Sequence, residues 1–396
     1  MSKLAAFLAE RYPFALDADL DELRRAVADL SETTPGVSAS ERLQQAIDEL
    51  TEAAEGFERR EAIAASLTRD EKRRMLRGML LTRATDNRLK QFFTGGEVRW
   101  GNTSFQGKGF RSLGQEAIYA AVIRLQPDDV ISPMIRDLGA VLAKHDHPDT
   151  VRMVLSAQMG KAGPPMNGKD LHVGDWAHGI LPAMAPLGSP ALTIAGIALA
   201  FHLRKEPRVA VSFVGEGTTS LGEWHEAINA CAARKLPAVF CVQNNQTALS
   251  TPVRHNSAAR VFADKGPGYG IPSVTIDGTD PEAIAAAFTW AAERARDGNG
   301  PALIELVAMR MCGHAHHDDM LYLGKDPQAS WSYPALTEQG YADRETYEFW
   351  RERDPIVTYA AKLLADGVVD AGELEAWKKE VEELVEGESR KVIDAP

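Results

Sequence analysis

Two unbroken apolar runs, Val209–Val214 (VAVSFV) and Ala238–Val242 (AVFCV), constrain this chain more than any other feature. A strand with one wet face alternates apolar and polar side chains, whereas a strand that is apolar throughout is covered on both faces. The pattern between the runs, Leu221 to Arg234, is helical. Ser273–Ile276 and Ala302–Val307 read as two further strands, and Val130–Ser132 as a short one followed by a helix through Leu142. Pro190 to Arg204 reads as an apolar, buried helix. Strands alternating with helical crossovers predict an α/β fold, a mainly parallel sheet flanked by helices.

The flanks of this region differ from it. The first seventy residues are rich in Ala, Leu, Glu and Arg, with apolar faces at Leu20, Leu23, Val27 and Leu30 and at Leu43, Ile47, Leu50 and Ala54. Thr33–Gly36 marks a break, and Ser38 or Ser40 suits the cap of the next helix. Thr68 and Glu71 form a capping-box pattern opening a helix through Arg83. Val357 to Val392 is again amphipathic and helical. The expected organisation is a helical N-terminal extension (1–70), an α/β domain (71–330) and a C-terminal helical region (331–396).

Of the 396 residues, 44 are Lys or Arg and 56 are Asp or Glu, a formal net charge of −12. No basic stripe is present to neutralise phosphates or anionic lipid, so neither nucleic acid nor a membrane surface is an expected partner. The three cysteines, Cys231, Cys241 and Cys312, include no CxxC pair and suit a reducing compartment. The longest apolar stretch, Leu192–Phe201, is about half of what a membrane helix needs. The N-terminus has no long apolar core before Arg11 and Tyr12, so a cytoplasmic location is expected.

Gly215-Glu216-Gly217 follows the VAVSFV strand directly, and Asn244-Asn245 follows the next one. In open parallel sheets ligands bind beyond the carboxyl ends of the strands, where both groups project. Glu216 and Asn245 can thus offer two oxygens to one hard cation such as Mg²⁺. The flanking glycines and the following helix N-terminus suit a diphosphate. Three histidines and two aspartates crowd Gly313–Asp319 (GHAHHDD). A transition-metal site is one reading of that loop; a histidine titrating near neutrality and placed for proton transfer is the preferred one.

The segment from Val214 to Pro252, VGEGTTSLGEWHEAINACAARKLPAVFCVQNNQTALSTP, resembles the thiamine-diphosphate motif of the alpha subunits of 2-oxo acid dehydrogenases, the decarboxylating component. The similarity extends from about Leu76 to Lys391. Glu216, where many members carry Asp, and Lys265–Ile271 (KGPGYGI) look most like the branched-chain, 2-oxoisovalerate type. The resemblance implies a thiamine-diphosphate-binding fold and Mg²⁺ held by Glu216, Asn245 and the carbonyl of Thr247. It implies cofactor contacts from Arg136, His172, Leu187, Gly215, Glu216, Gly217, Asn245, Thr247 and His314, with His314 as the catalytic residue.

The implied reaction is oxidative decarboxylation of a 2-oxo acid with acyl transfer to a lipoyl group, on a branched-chain substrate or, as runner-up, pyruvate or acetoin. The implied partners are a beta subunit, two of each chain together, and a lipoyl acyltransferase. The chain departs from the family pattern at four places. Ile135 stands where an aromatic residue is frequent and Ala185 where serine is. Gln243 replaces an arginine used against the diphosphate, and Ala315 occupies the place of a regulatory phosphoserine. A non-catalytic assembly subunit and a metal-dependent hydrolase are the two readings from other classes.

Overall fold

The computed structural model describes residues 16–28, 30, 37–105, 107 and 109–396. The expected break at Thr33–Gly36 and the first fifteen residues lie outside them. Two compact units are present, Met1–Ser66 and Leu67–Pro396. In the first, helices α1 (Leu16–Ala28) and α2 (Ala39–Ala65) are described, and Ser38 caps α2 through a reciprocal pair with Glu41. Leu23, Leu30 and Leu50 of their apolar faces are exposed.

The second unit opens with α3 (Arg69–Gly95), whose Thr68–Glu71 capping box is present. Glu71 also pairs with Arg124 at 2.6 Å, and that hydrogen bond pulls its carboxyl down to about 2. The helix runs twelve residues beyond the expected end at Arg83. The sequence pattern stops there because charges replace apolar residues, but each charge is buried against a partner. Arg83 bonds Glu116 and Asp354 at 2.7 Å each, Asp86 takes Arg111 and the Ser112 amide, and Lys90 meets Asp319 at 2.8 Å. Gly96, with φ +68°, ends the helix in the left-handed region.

The sheet has five parallel strands: β1 (Val130–Ser132), β2 (Ala210–Gly215), β3 (Ala238–Asn244), β4 (Ser273–Asp277) and β5 (Ala302–Val307), in the spatial order β1-β2-β3-β5-β4. The parallel arrangement and all five strands match the sequence expectation to within two residues. Helices α4 (Leu138–Lys144), α5 (Pro148–Gln158), α6 (Ser189–Arg204), α7 (Gly222–Ala233) and α8 (Pro281–Arg296) supply the covering layers. On one face Ala210, Val214, Ala238, Phe240 and Val242 join Ile194, Phe201, Trp224 and Ile228 of α6 and α7 in a single core. Phe213 points the other way and stacks on Phe288 of α8 at 5.5 Å. This is the period-two consequence of a strand apolar on both faces. Helix α6 is buried on one side only, since Leu192 and Leu203 are exposed.

The C-terminal helices α9 (Arg344–Arg351), α10 (Pro355–Ala365) and α11 (Ala371–Asp394) pack within the same unit as the sheet. Helix α11 lies along α3 and α5, with Arg88 bonded to Ser389 and Arg152 to Glu388. No helix among the described residues is long and apolar enough to cross a membrane.

Arg83 is the most consequential of the buried charges, because removing it leaves two carboxylates without a counterion. Arg83→Leu should lower the unfolding free energy by about 3–5 kcal/mol, read as a shift in the urea midpoint. Unchanged unfolding would show that Glu116 and Asp354 are neutral or otherwise paired.

Candidate active site

The register of β2 and β3 sets Gly215 opposite Gln243, so both strands end at one level and Glu216 and Asn245 emerge side by side. Each is nearly fully buried. They line a cavity of about 600 Å³ at the carboxyl edge of the sheet, a size suited to a cofactor-scale ligand. Arg136, His172, Leu187, Gly215, Gly217, Thr247 and His314 line the same cavity, so every site residue proposed from sequence meets there.

Glu216 accepts a 3.4 Å bond from the Asn245 amide through Oε2, and its buried Oε1 has no hydrogen-bond partner. Burial pushes its carboxyl above the usual range, partly offset by Arg310 and Arg136. An orphaned carboxylate oxygen in such a place calls for a cation. Asn245 turns its Nδ2 to Gln115 Oε1 at 2.9 Å, which leaves its oxygen for another donor or a metal. Gln115 continues to Gln243 at 2.6 Å, and Gln243 to Asp137 at 2.7 Å. Burial pushes Asp137 up to about 6, offset in part by Gln243 and the Met134 amide. Gln243 therefore does not face the cavity as the replaced arginine was expected to; it is a buried spacer in an amide relay that fixes Asn245.

The two asparagines divide the work. Asn244 points inward, donating to Glu305 at 2.9 Å and accepting from the Gln246 amide, which holds Gln246 at φ +75°. That turn brings Thr247 to the cavity. The Thr247 carbonyl accepts a long 3.5 Å contact from Arg310. Gly217 is required by its own surroundings: a Cβ there would sit 2.7 Å from Ala248 Cβ. A Cβ at Gly215 would have Met134 Sδ as its nearest neighbour, at 3.8 Å, so only the cavity itself would be filled. The expected helix N-terminus is displaced. A 3₁₀ turn, Glu216–Ser220, intervenes before α7 starts at Gly222.

Positive charge comes from two buried arginines. Arg136 donates to the Arg111 and His314 carbonyls, and burial together with Arg310 brings it down to about 10. Arg310 donates to the carbonyls of Leu249 and Cys312 at 3.0 Å each. The sequence reading missed Arg310, although it stands three residues past the end of β5, at the same sheet edge as Glu216 and Asn245. Gln115 was missed too; nothing local marks it.

The surroundings of His314 oppose the expected titration near neutrality. Burial, then Arg136 and Arg310, push it down to about 4. Both arginines approach its Nδ1, at 3.3 and 3.4 Å. Arginine only donates, so Nδ1 holds the lone pair and the hydrogen sits on Nε2. The other histidines of the loop diverge: His316 accepts from the Gly109 amide and stacks on Phe93, while Asp319 is taken by Lys90 and the Gly313 amide. The loop does not gather its histidines on one metal. His172 meets Asp170 at 2.6 Å on the cavity wall.

Residues 84–333 match the dehydrogenase E1 component family. The chain belongs to that family. It is 32% identical over 309 residues to the 2-oxoisovalerate dehydrogenase subunit alpha of Bacillus subtilis, covering 77% of this chain and 86% of the relative. It is 32% identical over 339 residues to the pyruvate dehydrogenase E1 component subunit alpha of Bacillus cereus, covering 84% and 78%. Identity to the alpha subunit of the acetoin:2,6-dichlorophenolindophenol oxidoreductase of Cupriavidus necator is 30% over 302 residues, covering 76% and 84%. The chain is thus an alpha subunit of a 2-oxo acid dehydrogenase E1 component. The family's enzymes depend on thiamine diphosphate and use a divalent metal such as Mg²⁺, and their alpha subunits associate with a beta subunit.

This E1 alpha chain fits that cofactor. An unpartnered carboxylate oxygen, an amide oxygen and a carbonyl make an all-oxygen donor set, the preference of Mg²⁺. Two guanidinium groups suit a diphosphate, and Gly215 leaves room for it.

The shift at His314 is open to direct measurement. In the cofactor-free chain its ring should titrate by NMR with a midpoint near 4, and Arg310→Gln should raise that midpoint by removing a neighbouring cation. A midpoint at 6 or above in the unsubstituted chain would contradict the arrangement (an ordinary histidine lies near 6.5).

Proposed function

We propose that this E1 alpha chain, assembled as two copies with two beta subunits, decarboxylates a branched-chain 2-oxo acid and delivers the acyl group to a lipoyl acyltransferase. The observation that carries the reading is the pairing of Glu216 and Asn245 at one buried sheet edge, with Glu216 Oε1 unsatisfied. Identity does not separate the branched-chain relative from the pyruvate relative. Glu216 in place of Asp and the Lys265–Ile271 segment favour the branched-chain type. The apolar wall of Met134, Ile135, Leu171, Ala185 and Phe213 also suits an aliphatic side chain.

Bound thiamine diphosphate would supply the carbanion chemistry of decarboxylation. In this reading Glu216, Asn245 and the Thr247 carbonyl hold the metal, and the Gln115–Gln243–Asp137 relay keeps the Asn245 oxygen turned toward it. Arg136 and Arg310 bind the diphosphate. Their removal from water makes that attraction stronger than at a surface. His172, Leu187 and Gly217 complete the wall, and the apolar lining excludes water from the reacting end. His314, neutral and fixed by the two arginines, presents Nε2–H as a hydrogen-bond donor to substrate oxygen. It serves as a positioned donor rather than a base, since its lone pair is spent on the arginines.

Glu216→Gln keeps the shape and removes the charge. Mg²⁺-dependent thiamine diphosphate binding, followed by calorimetry, should weaken at least about tenfold, the lower range for disturbing a metal's shell. Affinity equal to that of the unsubstituted chain would refute the ligand assignment.

Substrate class is tested by 2-oxo acid-dependent dye reduction with the chain co-purified with its beta subunit. Turnover should be fastest on 3-methyl-2-oxobutanoate or 4-methyl-2-oxopentanoate. Faster turnover of pyruvate would replace the branched-chain reading, and no turnover in a complex with both subunits and cofactor present would favour a non-catalytic role.

A further inference from the structure

Away from the cofactor cavity, three side chains from two connections converge on one point. His145 follows the last residue of α4, and Asp175 and His178 bracket the 3₁₀ turn Trp176–His178. Each offers a ligand atom, and these atoms all lie within 4.8 Å of one another. It is the one such group among the described residues.

The tautomers are set by neighbours. The Thr150 hydroxyl gives its hydrogen to the His145 carbonyl at 2.6 Å, so at 2.9 Å its oxygen receives the His145 Nδ1–H. His178 Nδ1 lies 2.5 Å from Asp175 Oδ2, and a carboxylate only accepts, so Nδ1 carries the hydrogen there too. His145 therefore holds its lone pair on Nε2, while His178 Nδ1 and Asp175 Oδ2 share one hydrogen that an incoming cation displaces as a proton. The rings stack with centroids 3.7 Å apart and planes 14° from parallel, and a ring nitrogen of each lies within 4.8 Å of the other and of an Asp175 oxygen.

The backbone is built to hold this arrangement. Asp175 and Ile180 exchange both backbone hydrogen bonds, at 2.7 and 2.9 Å, and close the turn. Gly179, at φ +69°, passes so near the Asp129 carbonyl that a Cβ would fall 2.4 Å from its oxygen. Asp175 is buried, whereas His178 remains half-exposed and reachable from solvent. Lys144, the nearest cation in sequence, is turned away to the Pro127 carbonyl at 2.6 Å. His147 stacks on His145, but its Nδ1 accepts from the Asp149 amide, which places its hydrogen on Nε2 and removes it as a ligand.

We propose that His145, Asp175 and His178 form a binding site for a divalent transition metal such as Zn²⁺. Two imidazole nitrogens and one carboxylate oxygen suit a borderline cation, whereas the all-oxygen set at Glu216 suits Mg²⁺. A tetrahedral Zn²⁺ needs ligand bonds of about 2.0–2.2 Å along in-plane lone pairs, so the two rings turn out of their near-parallel stack on binding. Thr150, holding the His145 Nδ1–H, is the orienting partner that a metal-bound histidine normally has, while Asp175 and His178 Nδ1, already 2.5 Å apart, meet the metal together. A metal here clasps the α4–α5 connection to the segment that runs on through Ala183, Ala185 and Leu187 of the cofactor cavity. The site stands whether or not the cofactor reading is correct.

The test is Co²⁺ titration of the full-length, untagged, chelator-stripped chain in saturating Mg²⁺, followed by visible absorption, with equilibrium dialysis of Zn²⁺ in parallel. About one equivalent should bind with a nitrogen-ligand spectrum. His145→Gln and His178→Ala should each weaken binding at least about tenfold, and Glu216→Gln should leave it unchanged. His178 is half-exposed, so its replacement need not disturb folding. Broadening of the His145 and His178 ring signals by Co²⁺ identifies the same ligands without any substitution. Absence of uptake, or uptake that survives both histidine replacements, would overturn the site.

Discussion

The ladder between β2 and β3 is the constraint on which the rest of the molecule depends. Six residues of each strand pair in parallel, from Ala210 with Ala238 to Gly215 with Gln243. Because a parallel pair cannot close through a tight turn, the chain must leave β2, cross through α7 and return. That crossover covers one face and creates the core around Trp224 and Phe240. The same ladder carries two loop residues 29 positions apart to the same level. A one-residue slip would turn Phe240 out of that core and separate Glu216 from Asn245 together, so packing and chemistry share one register.

Electrostatically the cavity is unfinished. Two guanidinium groups face a carboxylate with one oxygen unanswered, and a histidine is held neutral between the cations. The relay beneath, ending in Asp137, is satisfied by amide donors and holds Asn245 in place. A ligand carrying both a metal and several phosphate oxygens answers each of these demands at once. Met134, Ile135 and Ala185 make part of the wall apolar, and Arg136 and Arg310 bring positive charge to it.

What the sequence disclosed, and what it did not, follows from how local each signal is. Strands apolar on both faces and the Gly-Glu-Gly and Asn-Asn strand ends are readable within a few residues. The sequence pattern ends α3 too early because Arg83, Asp86 and Lys90 look like a solvated face; they are buried against partners from Arg111 to Asp354. Arg310 and Gln115 acquire meaning only when β5 and the 3₁₀ segment beginning at Glu116 come beside β3. His145 stands thirty residues before Asp175 and His178, and the three follow no ligand spacing. The behaviour of His314 was misread for the same reason, since neither of its two cations is marked by the loop's own pattern.

Arg83 also sets an order of events during synthesis. Asp354 lies 271 residues downstream of it. At about 5–20 residues per second the wait for that partner is roughly 15–50 s. Until then Arg83 has Glu116 alone as its buried counterion, and the last strand of the sheet, β5, is made before Asp354 arrives. The α/β layer can assemble early, but its α3 side closes only after α10 arrives. A chain interrupted between β5 and Asp354 would therefore be a complete sheet with an open flank, the kind of nascent species that chaperones hold.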